Sequence, residues 1–325
     1  MPVLNEENYL ESAVQAILDQ GYPGNLHIVL AIGPSTDNTQ EVADRLAATD
    51  SRVTSVPNPT GRTPDGLNAA IAATTEAIIV RVDAHCELSV GYIEKAIETL
   101  ERTGADNVGG VMGAVGVTDF EKAVAAAMTS PLGVGAAAFH VGGVEGPAET
   151  VYLGVFRRTA LERVGGYDPA FTRAQDWEMN FRIRNTGGLV WFNPELFVTY
   201  RPRPSVKKLA RQYFQYGSWR HEVMRRHPET RKGKSALRYF APPVAVLGIV
   251  VGTAVGLLGI FLHSIPLSAC GFLAPIGYAA LTCGSSLTLV KRAGAGSKWL
   301  PVVLATMQLS WGAGFITSRN KNSAN

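Results

Sequence analysis

The chain has 325 residues and a formal net charge of only +3, enough for one large α/β domain with an appendage and too little charge to indicate a nucleic-acid partner. Three cysteines, Cys86, Cys270 and Cys283, share no recognisable spacing, which argues against a disulfide framework or zinc knuckle and for a reducing compartment. Asn5, Glu6 and Glu7 interrupt any apolar stretch at the start, so no signal peptide is expected and the soluble part is expected to stay in the cytoplasm.

In chain order, Leu10, Val14, Ile17 and Leu18 stand at helical spacing and predict a helix over residues 6–20, with Asn5 as N-cap and Gly21 and Pro23 as its stop. Residues 25–32 predict a buried strand, which breaks at Gly33-Pro34 and leads through Ser35-Thr36-Asp37 into a helix carrying Val42, Ala43 and Leu46. A short helix over 67–75 and a strand over 77–82 follow, then a helix capped by Ser89 with Ile93, Ala96, Ile97 and Leu100 on one face. This alternation predicts a mostly parallel sheet with right-handed crossovers, whose ligands lie at the carboxyl ends of the strands. The polar clusters Asn5-Glu6, Ser35-Thr36-Asp37 and Asp83-Ala84-His85 fall at those ends. Past residue 105 the rhythm changes to an extended glycine-rich run (107–117), an Ala-rich helix (119–128), a strand (150–156) and a helix start (176–184). Residues 129–149, again rich in glycine, read as a mobile loop over a site.

Residues 240–262, 265–290 and 299–317 are apolar, free of Asp, Glu, Lys and Arg, and each near the ~20 residues that span a bilayer. Arg225, Arg226, Arg231, Lys232, Lys234 and Arg238 precede the first, and Lys291, Arg292 and Lys298 separate the second from the third. The turn at His263-Ser264 has no basic residue, so the positive-inside rule places the N-terminal part and the Lys291 loop in the cytoplasm. Arg319 and Lys321 violate the rule if all three stretches cross, which makes the third a candidate re-entrant segment. The expected organisation is a soluble domain over 1–200, a basic amphipathic juxtamembrane segment over 201–239, transmembrane helices over 240–318 and a tail over 319–325.

Two constellations carry candidate chemistry. Asp83 and His85, two residues apart just past a buried strand, can both face one divalent cation, and a hard cation such as Mg²⁺ or Mn²⁺ neutralises a diphosphate leaving group. The same triplet also suits a plain helix-capping turn. Gln175-Asp176-Trp177-Glu178 opens a helix, and either Asp176 or Glu178 is a candidate base for an attacking hydroxyl. Two carboxylates in a first turn also simply complement the helix dipole.

The pieces MPVLNEE (1–7), GPSTDNT (33–39), NPTGRTPDGLNAAI (58–71), RVDAHCEL (81–88), GVFRRTALERVGGYD (154–168), QDWEMNFRIR (175–184) and QYFQYGSW (212–219) occur together and in order. The set resembles the family 2 glycosyltransferases, in particular the bacterial exopolysaccharide (succinoglycan-type) branch, over essentially the whole chain. The resemblance implies an α/β nucleotide-diphospho-sugar transferase (GT-A type) domain followed by about three transmembrane helices. It also implies inverting transfer from a nucleotide-sugar donor to a lipid-linked sugar or polysaccharide at the cytoplasmic membrane face. Carried over residue by residue, Leu4, Asn5 and Glu6 line the nucleotide, Asn68 lies near the diphosphate and sugar, and Asp83 with His85 matches the Mg²⁺ or Mn²⁺ motif. Asp176 matches the base and Glu178 holds the site or the acceptor. Gln212, Trp219 and Arg220 loosely match the segment that closes over donor or acceptor in processive relatives.

Three departures stand out. The family's acidic residue after the second strand is Ile32, the one before the base is Gln175, and the first strand has almost nothing ahead of its Pro-x-x-Asn-Glu turn, so a start site placed too late or a truncated protein is expected. Two other readings compete: a polyprenyl-phosphate glycosyltransferase, and a non-catalytic membrane scaffold that keeps the fold.

Overall fold

A two-residue strand, β1 (Pro2–Val3), pairs in parallel with β2 (Ile28–Ile32), which pairs in parallel with β3 (Val53–Pro57). The main-chain nitrogen of Met1 adds a bond to the Val29 carbonyl at 2.9 Å. The computed structural model describes residues 1–84, 86–135, 137–231 and 239–318. The chain divides into two units, Met1–Gly113 with Ala137–Tyr200, and Ala114–Ala136 with Arg201–Asn325.

In the first unit the crossovers are α1 (Leu10–Leu18), α2 (Thr39–Thr49) and α3 (Thr63–Ala72). β2 is buried at every position, and Leu10, Ala13, Val14 and Ile17 of α1 are buried as the helical spacing predicts. Asn5 is not the cap of α1: the helix begins at Leu10 after Tyr9, with no side-chain cap bond. Asn5 instead adopts a left-handed backbone at φ 56°, a conformation Asn tolerates because its short amide bonds locally.

A six-stranded sheet contains β4 (Ile78–Val80), β5 (Glu87–Leu88), β6 (Asn107–Ala114), β7 (Gly146–Pro147), β8 (Tyr152–Arg157) and β9 (Val190–Tyr200) in the path β4-β8-β6-β9-β5, with β7 on β9. The β4–β8, β6–β8, β5–β9 and β7–β9 pairs are antiparallel, so the mostly parallel sheet expected from the sequence holds only for the first three strands. α4 (Tyr92–Thr103) starts after Gly91 in the left-handed region, not at a Ser89 side-chain cap. Gly110 is fixed by β9: a Cβ there would lie 1.8 Å from the Leu196 carbonyl oxygen. Between the sheets lies a cleft of about 310 Å³, lined among others by Met1, Val29, Ile79, Val80 and Tyr167. The loop expected over 129–149 contains two one-turn helices, α6 (Pro131–Val134) and α7 (Ala138–Val141), whereas α8 (Arg158–Val164) and α9 (Gln175–Asn185) flank the glycine pair Gly165-Gly166.

The second unit joins α5 (Asp119–Met128) to α10 (Val206–Arg226), to the apolar helices α11 (Ala241–Phe261), α12 (Ile265–Leu287) and α14 (Leu300–Ile316), and to the basic one-turn helix α13 (Val290–Ala293) between the last two. α5 thus belongs to the second unit, although β7, β8 and β9, which follow it in sequence, belong to the first. Its start is a reciprocal capping box: Thr118 accepts from the Glu121 amide and Glu121 accepts from the Thr118 amide. Thr118→Ala is expected to cost the helix about 1 kcal/mol, read as a lower unfolding midpoint with sugar transfer unchanged. α11 and α12 form a tight hairpin. A Cβ on Gly271 would lie 2.1 Å from the Gly256 nitrogen, the close backbone approach that small residues permit between membrane helices. Among the described residues, three segments are long and apolar enough to cross a membrane: Ala241–Phe261, Ile265–Leu287 and Val290–Ile316.

Candidate active site

β4 ends at Val80, and the next three residues deliver the site. Arg81 donates its main-chain amide to the Gly154 carbonyl, which keeps it on the sheet, and its side chain is 5 % exposed. An arginine this deep needs partners, because desolvating a lone guanidinium is costly. It has two. The guanidinium donates to Asp83 Oδ1 from Nη2 at 3.1 Å and from Nε at 3.2 Å, and from Nη1 to Asp176 Oδ1. It also sits over the Tyr167 ring, 5.9 Å from the centroid. Burial works against its charge, but the surrounding groups, Asp83 foremost, more than offset this and raise its pKa above the ordinary arginine value.

Asp83 and Asp176, 93 residues apart, therefore meet on one guanidinium while each stays partly exposed, at 21 % and 26 %. Asp176 lies in the first turn of α9, which begins after Ala174 in the left-handed region. The neighbouring carboxylate differs. Glu178 is 2 % exposed and accepts from Arg182 through both oxygens, at 2.6 and 2.7 Å. Its geometry is that of a buried ion pair along the helix.

The segment carrying Leu4, Asn5 and Glu6 is tied to the end of β2. Asn5 Oδ1 accepts from the Thr36 amide at 2.8 Å, the Asn5 amide donates to Ser35 Oγ, and the Glu6 amide donates to Thr39 Oγ1. Asp37 accepts from the Thr39 hydroxyl, and that bond holds its carboxyl below the usual range. Leu4 is 40 % exposed and lies against Gly33 and Gly61. Ile32 ends β2 facing the core and has nothing to offer a base.

Asn68 of α3 exchanges two hydrogen bonds with the main chain of Tyr167, donating Nδ2 to its carbonyl at 2.7 Å and accepting from its amide at 2.8 Å. The amide expected near a diphosphate thus clamps the loop that carries Tyr167 under Arg81. Cys86 accepts or donates a bond with Tyr152 Oη at 3.3 Å, and burial pushes its thiol up to about 12. It is an inert thiol despite its place beside Asp83.

Gln212, Trp219 and Arg220 belong to α10 in the second unit. Gln212 donates to Tyr216 Oη, Trp219 is buried, and Arg220 lies over the Tyr239 ring at 4.2 Å. His85 lies outside the described residues. Among the described residues, no three His, Cys, Asp or Glu side chains cluster as a ready-made metal cage. Asp83 still suits a hard cation of the Mg²⁺ type, which takes one or two protein carboxylates and completes its shell with water and substrate phosphate oxygens.

Sequence reasoning passed over Arg81 and Tyr167. The signal for Arg81 was present: a single charge inside the apolar run AIIVRV is the kind of residue that is buried only when paired.

Residues 1–165 match the model of Glycosyl transferase family 2. The chain is 32 % identical over 320 residues to the succinoglycan biosynthesis protein ExoA of Rhizobium meliloti (strain 1021), spanning 97 % of this chain and 92 % of that one. It is 25 % identical over 228 residues to a dolichyl N-acetyl-alpha-D-glucosaminyl phosphate 3-beta-D-2,3-diacetamido-2,3-dideoxy-beta-D-glucuronosyltransferase of Methanococcus voltae, covering 67 % of this chain and 70 % of the relative. In fold it is similar to a Pyrobaculum calidifontis mannosyltransferase solved with GDP-Man and Mn²⁺, with a TM-score of 0.59 at 21 % identity over 97 % of this chain and 84 % of that one. With a GT-A-like domain, three membrane-capable helices and these relatives, the chain is a glycosyltransferase of family 2.

Proposed function

We propose that this chain moves a sugar, with inversion, from a nucleotide-sugar donor to a lipid-linked sugar or polysaccharide acceptor at the cytoplasmic face of a membrane. The observation that carries the proposal is the convergence of Asp83 and Asp176 on Arg81 at the carboxyl end of β4, where open α/β sheets bind ligands. The exopolysaccharide relative supports a polymer or its lipid-linked precursor as acceptor.

In this reading Asp176 takes the proton of the acceptor hydroxyl as it attacks the anomeric carbon, while the bond to the nucleoside diphosphate breaks on the opposite face. Arg81 fixes the Asp176 carboxylate in place, since positioning a base is worth as much as its basicity. Leu4, Asn5 and Glu6, clasped to Ser35, Thr36 and Thr39, form the nucleotide edge, and Asn68 shapes the donor pocket through the Tyr167 loop. Asp83, with His85, would hold Mg²⁺ or Mn²⁺, which supplies charge neutralisation to the diphosphate. Gln212, Trp219 and Arg220 support the acceptor side.

The test is a screen of nucleotide sugars for hydrolysis and transfer by purified full-length protein in detergent or nanodiscs, with membrane lipid extracts as acceptor. EDTA is expected to abolish transfer and Mn²⁺ or Mg²⁺ to restore it. Asp83→Asn is expected to weaken Mn²⁺ binding measured by calorimetry in the presence of nucleoside diphosphate, and full transfer in chelator overturns the metal assignment.

The Methanococcus relative, whose name refers to a dolichyl phosphate sugar, favours a second reading in which the acceptor is itself a polyprenyl phosphate. Paired incubations with polyprenyl phosphate and with a polyprenyl-diphosphate-linked sugar separate the two, because each reading predicts product in one tube only.

A further inference from the structure

The three apolar helices are not equivalent in their surroundings. In the α11–α12 hairpin only 11 % of each apolar window is buried, whereas the segment ending in α14 has 33 % buried. Val244, Val250, Phe261, Ile265 and Leu273 stand 61–83 % exposed along the hairpin, a surface fit for acyl chains. Leu300, Val303, Leu304 and Met307 of α14 are fully covered.

Polar groups meet α14 at its middle and its end, and the turn before it as well. At its middle, Gln308 donates to the Leu132 carbonyl at 2.9 Å and Gly133 packs on Met307, next to α5 with Asp119, Glu121 and Lys122. The preceding turn is tied down as well, with Lys298 on Asp119 at 3.2 Å and Arg292 on the Thr129 carbonyl at 2.9 Å. Toward its end, α14 crosses α10 backbone to backbone. A Cβ on Gly217 would lie 1.9 Å from the Trp311 oxygen, and one on Gly314 would lie 2.0 Å from the Phe214 oxygen. His221 Nδ1 meets the Phe315 carbonyl at 2.9 Å. α10 carries Lys207, Lys208, Arg211, Glu222, Arg225 and Arg226, charges that do not sit in hydrocarbon beside a spanning helix.

The contacts with the hairpin fix the depth. Gly312 lies against Pro242 and Val246 of α11, and Gln308 accepts from Tyr278 Oη of α12 at 3.0 Å. At about 1.5 Å per residue, Val246 and Pro242 are about 24–30 Å from the hairpin turn along α11, and Tyr278 is about 20 Å from it along α12. Two residues one turn apart on α14 therefore touch α11 within its first two turns from the base and α12 in the half of that helix away from the hairpin turn. A third span running beside the hairpin would make contacts along its length instead.

We infer that the chain crosses the membrane twice, through α11 and α12, and that α14 lies across the base of this hairpin in the plane of the membrane surface, roofed by α5 and α10. The partner of the hairpin is lipid hydrocarbon, and that of the α10–α14 layer is the headgroup region on the side of Arg225, Arg226, Lys291, Arg292 and Lys298. Both ends of α14 then lie on that same side, the side the positive-inside rule assigns to the basic residues flanking α11 and α12. This topology is independent of which sugar is transferred.

The test uses the full chain in intact cells with Cys86, Cys270 and Cys283 replaced by serine, and single cysteines at Glu229, His263 and Thr317. A membrane-impermeant maleimide is expected to label His263→Cys from outside, and to label Glu229→Cys and Thr317→Cys only after permeabilisation. Labelling of Thr317→Cys from outside, with Glu229→Cys protected, overturns the inference and establishes a third crossing. Fusions made after residue 318 keep the test decisive if a cysteine variant does not accumulate. A fluorescent protein is expected to fold there and alkaline phosphatase to stay inactive, and the reverse pattern rejects the in-plane helix.

Discussion

Asp176→Asn is expected to lower sugar transfer by about 10²–10⁴-fold while leaving donor binding near normal. The substitution keeps the side chain's shape and leaves an oxygen for Arg81 to bond, so it removes the proton acceptor without dismantling the site. Donor affinity measured by calorimetry in the presence of Mn²⁺ is the control. Glu178→Gln is expected to act differently, because Glu178 is 2 % exposed and spends both oxygens on Arg182. Weakening that buried pair lowers the unfolding midpoint more than the turnover of protein that remains folded. Near wild-type transfer by Asp176→Asn, with loss in folded Glu178→Gln, would reverse the two assignments.

Arg81→Met is expected to reduce kcat by about 10²-fold, with a smaller change in the KM for donor. Methionine fills much of the volume and removes the only guanidinium shared by Asp83 and Asp176 among the described residues. Two carboxylates then face each other without a counter-ion. Because both remain partly exposed, the stability cost is about 1–3 kcal/mol, below that of stranding a fully buried charge. Arg81→Lys restores one positive charge but not the fork that reaches two carboxylates, so partial rescue of stability with little rescue of kcat is the expected signature of positioning. Since the guanidinium occupies Asp83 Oδ1, Mn²⁺ is expected to bind Arg81→Met at least as tightly as wild type. A variant with unchanged kcat would show that Arg81 is only a structural counter-ion.

The sequence by itself determined the elements whose signals are local. Residues 119–128 read as a helix and form one, because a capping box at Thr118 and an Ala-rich face act within a few residues. The β1, β2 and β4 ends carry the polar clusters where chain order put them, and the three apolar stretches follow from length and hydropathy alone. The motifs in order were enough to expose the family. Other features depended on partners remote in sequence. β9 escaped notice because Asn193-Pro194-Glu195 interrupts its alternation, yet it pairs with β5 and β7 and forces glycine at position 110. Asn5 and Ser89 have the composition of caps, but tertiary contacts gave the Asn5 side chain to Thr36 and left α4 to start at Gly91. Periodicity reports which face of an element is buried and says nothing of what lies against it. The meeting of Asp83 with Asp176, the clamp of Asn68 on Tyr167 and the packing of α5 beside the apolar helices were therefore decided only when the chain closed on itself.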